Sequence, residues 1–528
     1  MNREMFDFIV VGAGMAGVCA AIEAAERGLN VLLLDATYGG GASGISGGVV
    51  YAGGGTVVQR NAGVEDSADN MFNYLKNEVG QMLSDDTIRT FCEESAPTID
   101  WLIAKGVKFE STICPYKTSY PSDQFYLYYS GNEKCYPYNQ SAHPAPRGHR
   151  VFAKGLDSGK VLMQTLLNYA KSMPNLDFRP MCKVTELLIE HNEVKGVRFT
   201  GEKNYENARH KRYANLSNNY GKYIKSLGEY ASKKADRIVK SASSQYEVRS
   251  HGVLLSAGGF IFNKEMLAEY DVKDAANLMP LGTVYDNGNG IQLGISAGGA
   301  TDHMQNVSAW RFFSPPSDFI RGIAVDGQGK RIINEDLYGA TFSKKLIKEH
   351  QGECYLIVDR DIFEAAKRNG LNESLSFQSL QLRYLFTMGT YKADSITTLA
   401  KKIQIDEQSL IETIAQYNNA IALGKPDPVH KAKEICTPLI RPPFYAVKMS
   451  IKNSPFFPTP GLTLGGLKVE EHTGEVLNAS DQPIAGLYAA GRTAVGICSN
   501  SYISGLSLAD AAFSGRRAAR HVASKVST

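Results

Sequence analysis

Apolar residues gather first at Phe6–Val11 (FDFIVV), a β-branched run of strand length. An Ala-rich stretch to Arg27 follows with the spacing of a helix, and Val31–Leu34 predicts a second strand ending at Asp35. Near the other end, Ile484–Ala489 predicts a short buried strand, and Ala509–Val522 an Ala-rich helix. A helix is also predicted over Asp406–Ala422. One stretch breaks the pattern. Lys203–Lys240 holds ten Lys/Arg against three Asp/Glu, with Leu216, Tyr220, Tyr223, Leu227 and Tyr230 at helical spacing. This predicts an amphipathic basic helix, open to three readings: a solvated excursion, a protomer contact or a contact with an anionic membrane surface.

The join between the first strand and helix is Gly12-Ala-Gly14-Met-Ala-Gly17. Gly12 suits a tight turn, Gly14 lets backbone N–H groups approach a pyrophosphate, and Gly17 lets helix and strand pack closely. The helix N-terminus then faces the phosphates, and Asp35 is placed to accept from a ribose hydroxyl. Strand, glycine turn, helix, strand and acid occur in that order, which predicts a dinucleotide site. A second glycine array runs from Gly39 to Gly48 and continues through Tyr51-Ala-Gly-Gly-Gly-Thr56. A nicotinamide dinucleotide needs no such array, whereas a flavin extends past the pyrophosphate; a surface loop is the competing reading. No second glycine fingerprint appears. The cofactor expected is therefore FAD, bound non-covalently because no His stands between Gly39 and Gly48.

Composition narrows the class. With 528 residues, two or three domains are expected. Hydrophobic residues at 43% and charged residues at 21% exclude a disordered chain. A net charge of +3 gives no reason to expect a nucleic-acid partner. The eight cysteines form no C-x-x-C, and no metal site is indicated. No segment has the length of an apolar membrane span. The expected location is cytoplasmic, with peripheral contact to the inner membrane face through 203–240 as the alternative.

The glycine fingerprint, the GGxSxxSGG array ending at Gly48, Val253–Gly259, Gly288–Ile291, Thr463–Gly466 and Gly486-Leu-Tyr-Ala-Ala-Gly491-Arg492 together resemble the flavoprotein superfamily of fumarate reductase and succinate dehydrogenase, with its 3-ketosteroid dehydrogenases. The matches run from end to end. The resemblance implies an α/β protein: a discontinuous Rossmann-like FAD domain over about 1–300 and 446–528, and an inserted α+β capping, catalytic domain over about 301–445. It implies cofactor contacts at Gly12, Gly14, Ala16, Gly17, Asp35 and Ala36; at Ala42, Ser43, Ser46, Gly47 and Gly48; and at Val184, Ala257, Gly258, Asn289, Gly491, Arg492, Ser507 and Leu508. Asn289 stands where the family usually carries Asp. The helix opening at Ser507 and Leu508 would direct its positive end at the flavin.

Fumarate reductases carry an Arg in the loop before the last helix. The corresponding residue here is Tyr502. A neutral phenol cannot pair with a carboxylate but can donate to a ketone oxygen. The stretch Tyr129-Ser-Gly-Asn-Glu-Lys-Cys-Tyr136 through His149 and the stretch Ser501–Gly505 resemble the 3-ketosteroid Δ4-(5α)-dehydrogenase branch. Seven tyrosines between Tyr116 and Tyr138 suit an aromatic wall for a flat polycyclic ligand; Tyr129, Tyr136 and Phe313 are the expected pocket residues. The segment 329–339 has the form of a strand end delivering polar groups into a site. By motif its Tyr338 is the proton-transferring residue, with Ser504 as relay and Gly505 offering a backbone N–H beside Tyr502. The reaction expected is introduction or reduction of a C–C double bond α,β to the ketone of a 3-ketosteroid, at C4–C5, with an external electron donor or acceptor. The alternatives are C1–C2 chemistry, carboxylate reduction using Arg147, His149, Arg311 or Arg492, and a flavoprotein that only relays electrons.

Overall fold

The computed structural model describes residues 4–201, 212–217, 225–242, 244–452, 454 and 456–526. Its main sheet runs, from edge to edge, Glu475–Leu477, Pro483–Ala489, Ser244–Leu255, Glu4–Val11, Val31–Leu34 and Leu176–Arg179. The inner pairings are parallel. A β-meander, Lys183–Glu190 and Glu193–Gly201, joins it antiparallel through Ser244–Leu255. Phe8–Val11 and Val31–Leu34 are buried throughout, as central parallel strands covered on both faces must be. Both chain ends supply this layer: the first helix, Met15–Glu26, packs against the last, Leu506–Val526. Small residues permit the approach, since a Cβ on Gly515 would fall 2.2 Å from the Ala16 carbonyl oxygen.

A second core belongs to an antiparallel sheet ordered Ile323–Val325, Tyr355–Val358, Phe444–Lys448 and Thr390–Ala393. Helices Arg360–Gly370, Ile396–Ile403 and Glu407–Ala422 contribute to it; the last carries Leu410, Ile414 and Tyr417 inward. Phe444–Lys448 pairs along its length within this sheet, and the second core reaches Ile451. The return expected at 446 therefore falls inside a cap strand. Between the two bodies, Val307–Ala309 pairs antiparallel with Pro460–Thr463, which pairs parallel with Met279–Pro280. The chain passes into the second core after Val307–Ala309 and returns along Pro460–Thr463, and Met279, Pro460 and Leu462 of these strands line the cavity described below.

Of the insert, 202–211 and 218–224 lie outside the described residues, and with them Tyr205, Tyr220 and Tyr223. Lys225–Ala242 is a helix on which Tyr230 is exposed. Among the described residues no helix is long and apolar enough to cross a membrane.

Candidate active site

A cavity of about 430 Å³ is lined from both bodies. On the sheet side it begins at the first turn. Gly12 has φ +104°, and a Cβ there would sit 2.6 Å from the Ser256 carbonyl oxygen. Gly14 faces open space, where a Cβ would meet only the Ser43 hydroxyl, at 3.7 Å. Gly17 does not line the cavity; its missing side chain makes room for the Gly12 carbonyl, 1.8 Å from where a Cβ would stand. Asp35 accepts from the Ala13 amide at 2.7 Å, and from the Thr37 amide and hydroxyl at 2.7 Å each. Three of about four acceptor positions on this carboxylate are thus taken by the protein.

Ala16, Ala36, Ala42, Ser43, Ser46 and Val184 line the same wall, as do Ala257, Gly258 and Gly491. Gly47 and Gly48 also line it, but the space they leave is filled by protein. A Cβ on Gly47 would meet the Tyr120 ring at 2.6 Å, and one on Gly48 the backbone of Ser158 at 2.3 Å. Part of the second array thus serves packing rather than ligand approach. Asn289 starts the helix Asn289–Ser296 and donates to the Val184 carbonyl at 3.4 Å.

A second acid of this wall is Asp286, which was not expected from the sequence. It is buried, accepts from the Thr283 amide at 2.7 Å and forms an ion pair with Arg492 Nη2. Gly258 and Gly282 leave space for its carboxylate. The signal lay three residues before Asn289, in the same Asp-Asn-Gly-Asn-Gly turn. Arg492 Nη1 is buried with no hydrogen-bond partner among the described residues. An open glycine cradle beside a donor that lacks an acceptor is what a bound dinucleotide flavin requires, so the residues present fit FAD.

The rest of the lining is aromatic. Tyr502 is 9% exposed, lies tilted against Trp310 with ring centres 4.8 Å apart and approaches the Ser507 hydroxyl at 3.4 Å. Burial pushes its phenol up to about 12, against the pull of the Ser507 hydrogen bond. Tyr338 is more deeply buried and meets the Phe312 ring edge-on at 5.4 Å. Burial holds its phenol well above the usual range, and the neighbouring Tyr502 and Tyr128 add to this, while the Ser504 hydroxyl offsets it. Ser504 shares a hydrogen bond of 2.9 Å with Tyr128. Gly505 has φ +92°, and a Cβ would lie 2.7 Å from the Tyr51 amide nitrogen, so no other residue fits this bend. The last helix begins at once, at Leu506, with Ser507 and Leu508 in the lining.

Several expectations are corrected. Of the seven tyrosines between 116 and 138, only Tyr120 lines the cavity. Tyr129 lies under the Lys134 ammonium, 3.8 Å from its ring. Tyr136 is 41% exposed and stacks on His430 at 4.0 Å. Phe313 points into the cap core against Phe342. Alternation along an extended segment sends neighbours to opposite sides, and here Phe312 faces the cavity instead. In the 329–339 segment only Tyr338 reaches the cavity. Glu335 is instead buried in ion pairs with Arg331 and Lys431.

Of the four residues named for carboxylate chemistry, three are committed elsewhere, and the fourth, Arg492, is paired with Asp286 through Nη2. Arg147 is buried in a two-pronged pair with Asp66 (2.9 and 2.8 Å). His149, held between the Arg147 carbonyl and Thr56, is kept neutral by burial, its pKa lowered to about 4. Neither lines the cavity. Arg311 does, but its Nη groups donate to Ser450, Phe457 and Thr459.

The family model described as FAD binding domain matches residues 7–505. The chain is 34% identical over 505 residues to a 3-oxo-5-alpha-steroid 4-dehydrogenase of Comamonas testosteroni, covering 92% of each protein. It is 26% identical to a fumarate reductase (cytochrome) of Shewanella frigidimarina, covering 99% of this chain and 77% of that one. The crystal structure of 3-ketosteroid-delta4-(5alpha)-dehydrogenase from Rhodococcus jostii RHA1, in complex with 4-androstene-3,17-dione, superposes with a TM-score of 0.81 at 28% identity, covering 98% of this chain and 97% of that one. The chain therefore belongs to the FAD-binding flavoprotein family and is an FAD-dependent oxidoreductase.

Proposed function

We propose that this flavoprotein interconverts the single and double C4–C5 bond of a 3-ketosteroid. One observation carries the reading: the loop before the last helix brings a buried, uncharged phenol, Tyr502, into the cavity beside Trp310. A ketone suits that donor and a dicarboxylate does not. The steroid dehydrogenase likenesses support the substrate class, and the apolar lining of Leu281, Trp310, Phe312 and Leu385 suits a flat polycycle.

FAD, when bound, supplies the hydride acceptor or donor at its N5. The chain does the rest. The Tyr502 hydroxyl and the Gly505 N–H hold the ketone oxygen and stabilise negative charge developing on it, each such donor contributing about 3 kcal/mol in the transition state. Tyr338 exchanges the α proton. Its raised pKa keeps the phenol protonated at neutral pH, so it stands ready as a donor; in the dehydrogenation direction its proton must leave as the substrate's arrives, Ser504 taking it and passing its own hydroxyl proton to Tyr128, which must release its own in turn to solvent. The exposed basic helix of the insert supplies a surface for anionic membrane, tested by vesicle binding with and without 203–240.

Anaerobic addition of 5α-androstane-3,17-dione to the oxidised holoenzyme is expected to bleach the flavin, and fumarate is expected to leave the reduced enzyme unchanged. Tyr502→Phe and Tyr338→Phe should keep FAD and lose on the order of 10²–10³ in kcat. Reoxidation by fumarate, or full turnover in either variant, would overturn the assignment.

A further inference from the structure

Behind the cavity wall, one buried carboxyl joins the two segments that present the phenols. Glu78, at the end of the helix Ala68–Val79, is 2% exposed, without an ion pair among the described residues. Its Oε1 accepts from the Tyr74 hydroxyl at 2.8 Å and from Asn132 Nδ2 at 2.5 Å; its Oε2 accepts from the Ser501 hydroxyl at 3.2 Å. Its backbone carbonyl accepts from Asn500 Nδ2 at 3.2 Å. Asn132 in turn accepts the Tyr338 amide at 2.6 Å and donates to Thr341 at 2.8 Å. A single carboxyl thus reaches the Tyr338 turn through Asn132, and the Tyr502 loop through Ser501. A buried acid that lacks a counter-charge is a costly way to fill space.

We infer that Glu78 is a positioning residue, setting the placement of Tyr338 relative to Tyr502. This rests on the roles given to those phenols above. Tyr74 donates to Glu78 while its oxygen accepts from the Asn132 backbone amide at 2.8 Å, and Asn132 Nδ2 can only donate. Oε1 thus holds two donors and Oε2 one, the Ser501 hydroxyl at 3.2 Å. A proton on Glu78 displaces least at Oε2, where it turns Ser501 from donor into acceptor, next to Tyr502.

Burial pushes this carboxyl up to about 7; the Asn132, Tyr74 and Ser501 hydrogen bonds pull it down, and Glu133 adds to the rise. The charge of ionised Glu78 in turn raises the phenols of Tyr51, Tyr74, Tyr138 and Tyr338 and opposes the lowering of Lys344 by burial. Arg147 lies over the Tyr74 ring. Lys344 is the cation nearest the loop and is held on Asn500, at 3.0 Å from its carbonyl and 2.9 Å from its side-chain oxygen. Ionised Glu78 keeps all three donors directed inward, so activity should fall on the acid side of about pH 7.

Hydrogen–deuterium exchange of the FAD-loaded protein tests the placement without substrate. Glu78→Ala should exchange faster in 338–341 and 500–505 and remain unchanged in Glu4–Val11; wild-type exchange in both segments would overturn the inference. Kinetics provides a second test, because a glutamine amide at the Oε2 site is a permanent donor to Ser501. Glu78→Gln should keep FAD, hold the wild type's acid-side kcat at every pH and lose the inflection near pH 7. Glu78→Ala should lower kcat on the order of 10–100-fold with KM little changed. A Glu78→Gln protein with wild-type kcat and an intact inflection would also overturn it. Failure of the wild type to oxidise steroid sinks the functional reading instead, and the exchange result still decides Glu78.

Discussion

The two walls of one cavity are built by different means. On the sheet side the backbone provides the surface: Gly12, Gly14 and Gly258 remove side chains where chain or ligand must come close, and Asp286 and Arg492 supply the charge. On the other side rings dominate the surface, and they come from four separate segments: Tyr120, Trp310 with Phe312, Tyr338 and Tyr502. The first wall starts from a local property, a turn and a helix start at Gly12–Gly17, to which Gly258, Asp286 and Arg492 are added from afar. The second exists only when distant loops converge, so it depends on ties such as Tyr51 N–H to the Gly505 carbonyl at 3.1 Å. A local wall should fail by steric exclusion, a convergent one by loss of alignment.

Substitutions should separate the two, beginning with the largest effect. Gly17→Val should abolish the FAD-loaded protein, because its Cβ would overlap the Gly12 carbonyl at 1.8 Å; flavin absorbance per mole of protein after purification reads this. Asp286→Ala leaves the Arg492 guanidinium without its partner and should cost about 3 kcal/mol, seen as a lower Tm and a weaker FAD Kd.

The pH dependence of folding comes next. His149 has a folded pKa of about 4 against an ordinary 6.5, so it favours the folded state above pH 6.5 and loses that contribution as pH falls towards 4. The loss approaches about 3 kcal/mol. Thermal unfolding of His149→Gln should therefore depend less on pH across this window than that of the wild type. The smallest effect is expected at Tyr136→Ala, within about 0.5 kcal/mol of wild-type stability and with unchanged KM. A large KM rise there would restore Tyr136 to the pocket and blur the contrast between the walls.

The dinucleotide turn was legible because its requirements are local. Glycine at 12, 14 and 17, an apolar strand before them and an acid after the next strand can be checked within one short stretch. Tyr338, Tyr502, Ser504 and Gly505 were named from motif resemblance, and all four line the cavity. The tyrosine-rich stretch was misleading for the pocket. Composition announced rings, but the strand pairing of Leu127–Tyr128 with Gly148–Arg150 and the stacking of Tyr136 on His430 decide which way each ring points. Asp286 was missed because its partner Arg492 is 206 residues away.

The amino-acid sequence by itself determined the FAD cradle, the α/β layering and the identity of the residue before the last helix, since each depends on near neighbours or on motif. Tertiary structure alone decided which aromatic rings share the cavity, which arginines are already committed to other partners, and that Glu78 lies between the two phenol-bearing segments. Those outcomes depend on contacts across hundreds of residues, where periodicity carries no information and packing and hydrogen-bond satisfaction select the arrangement.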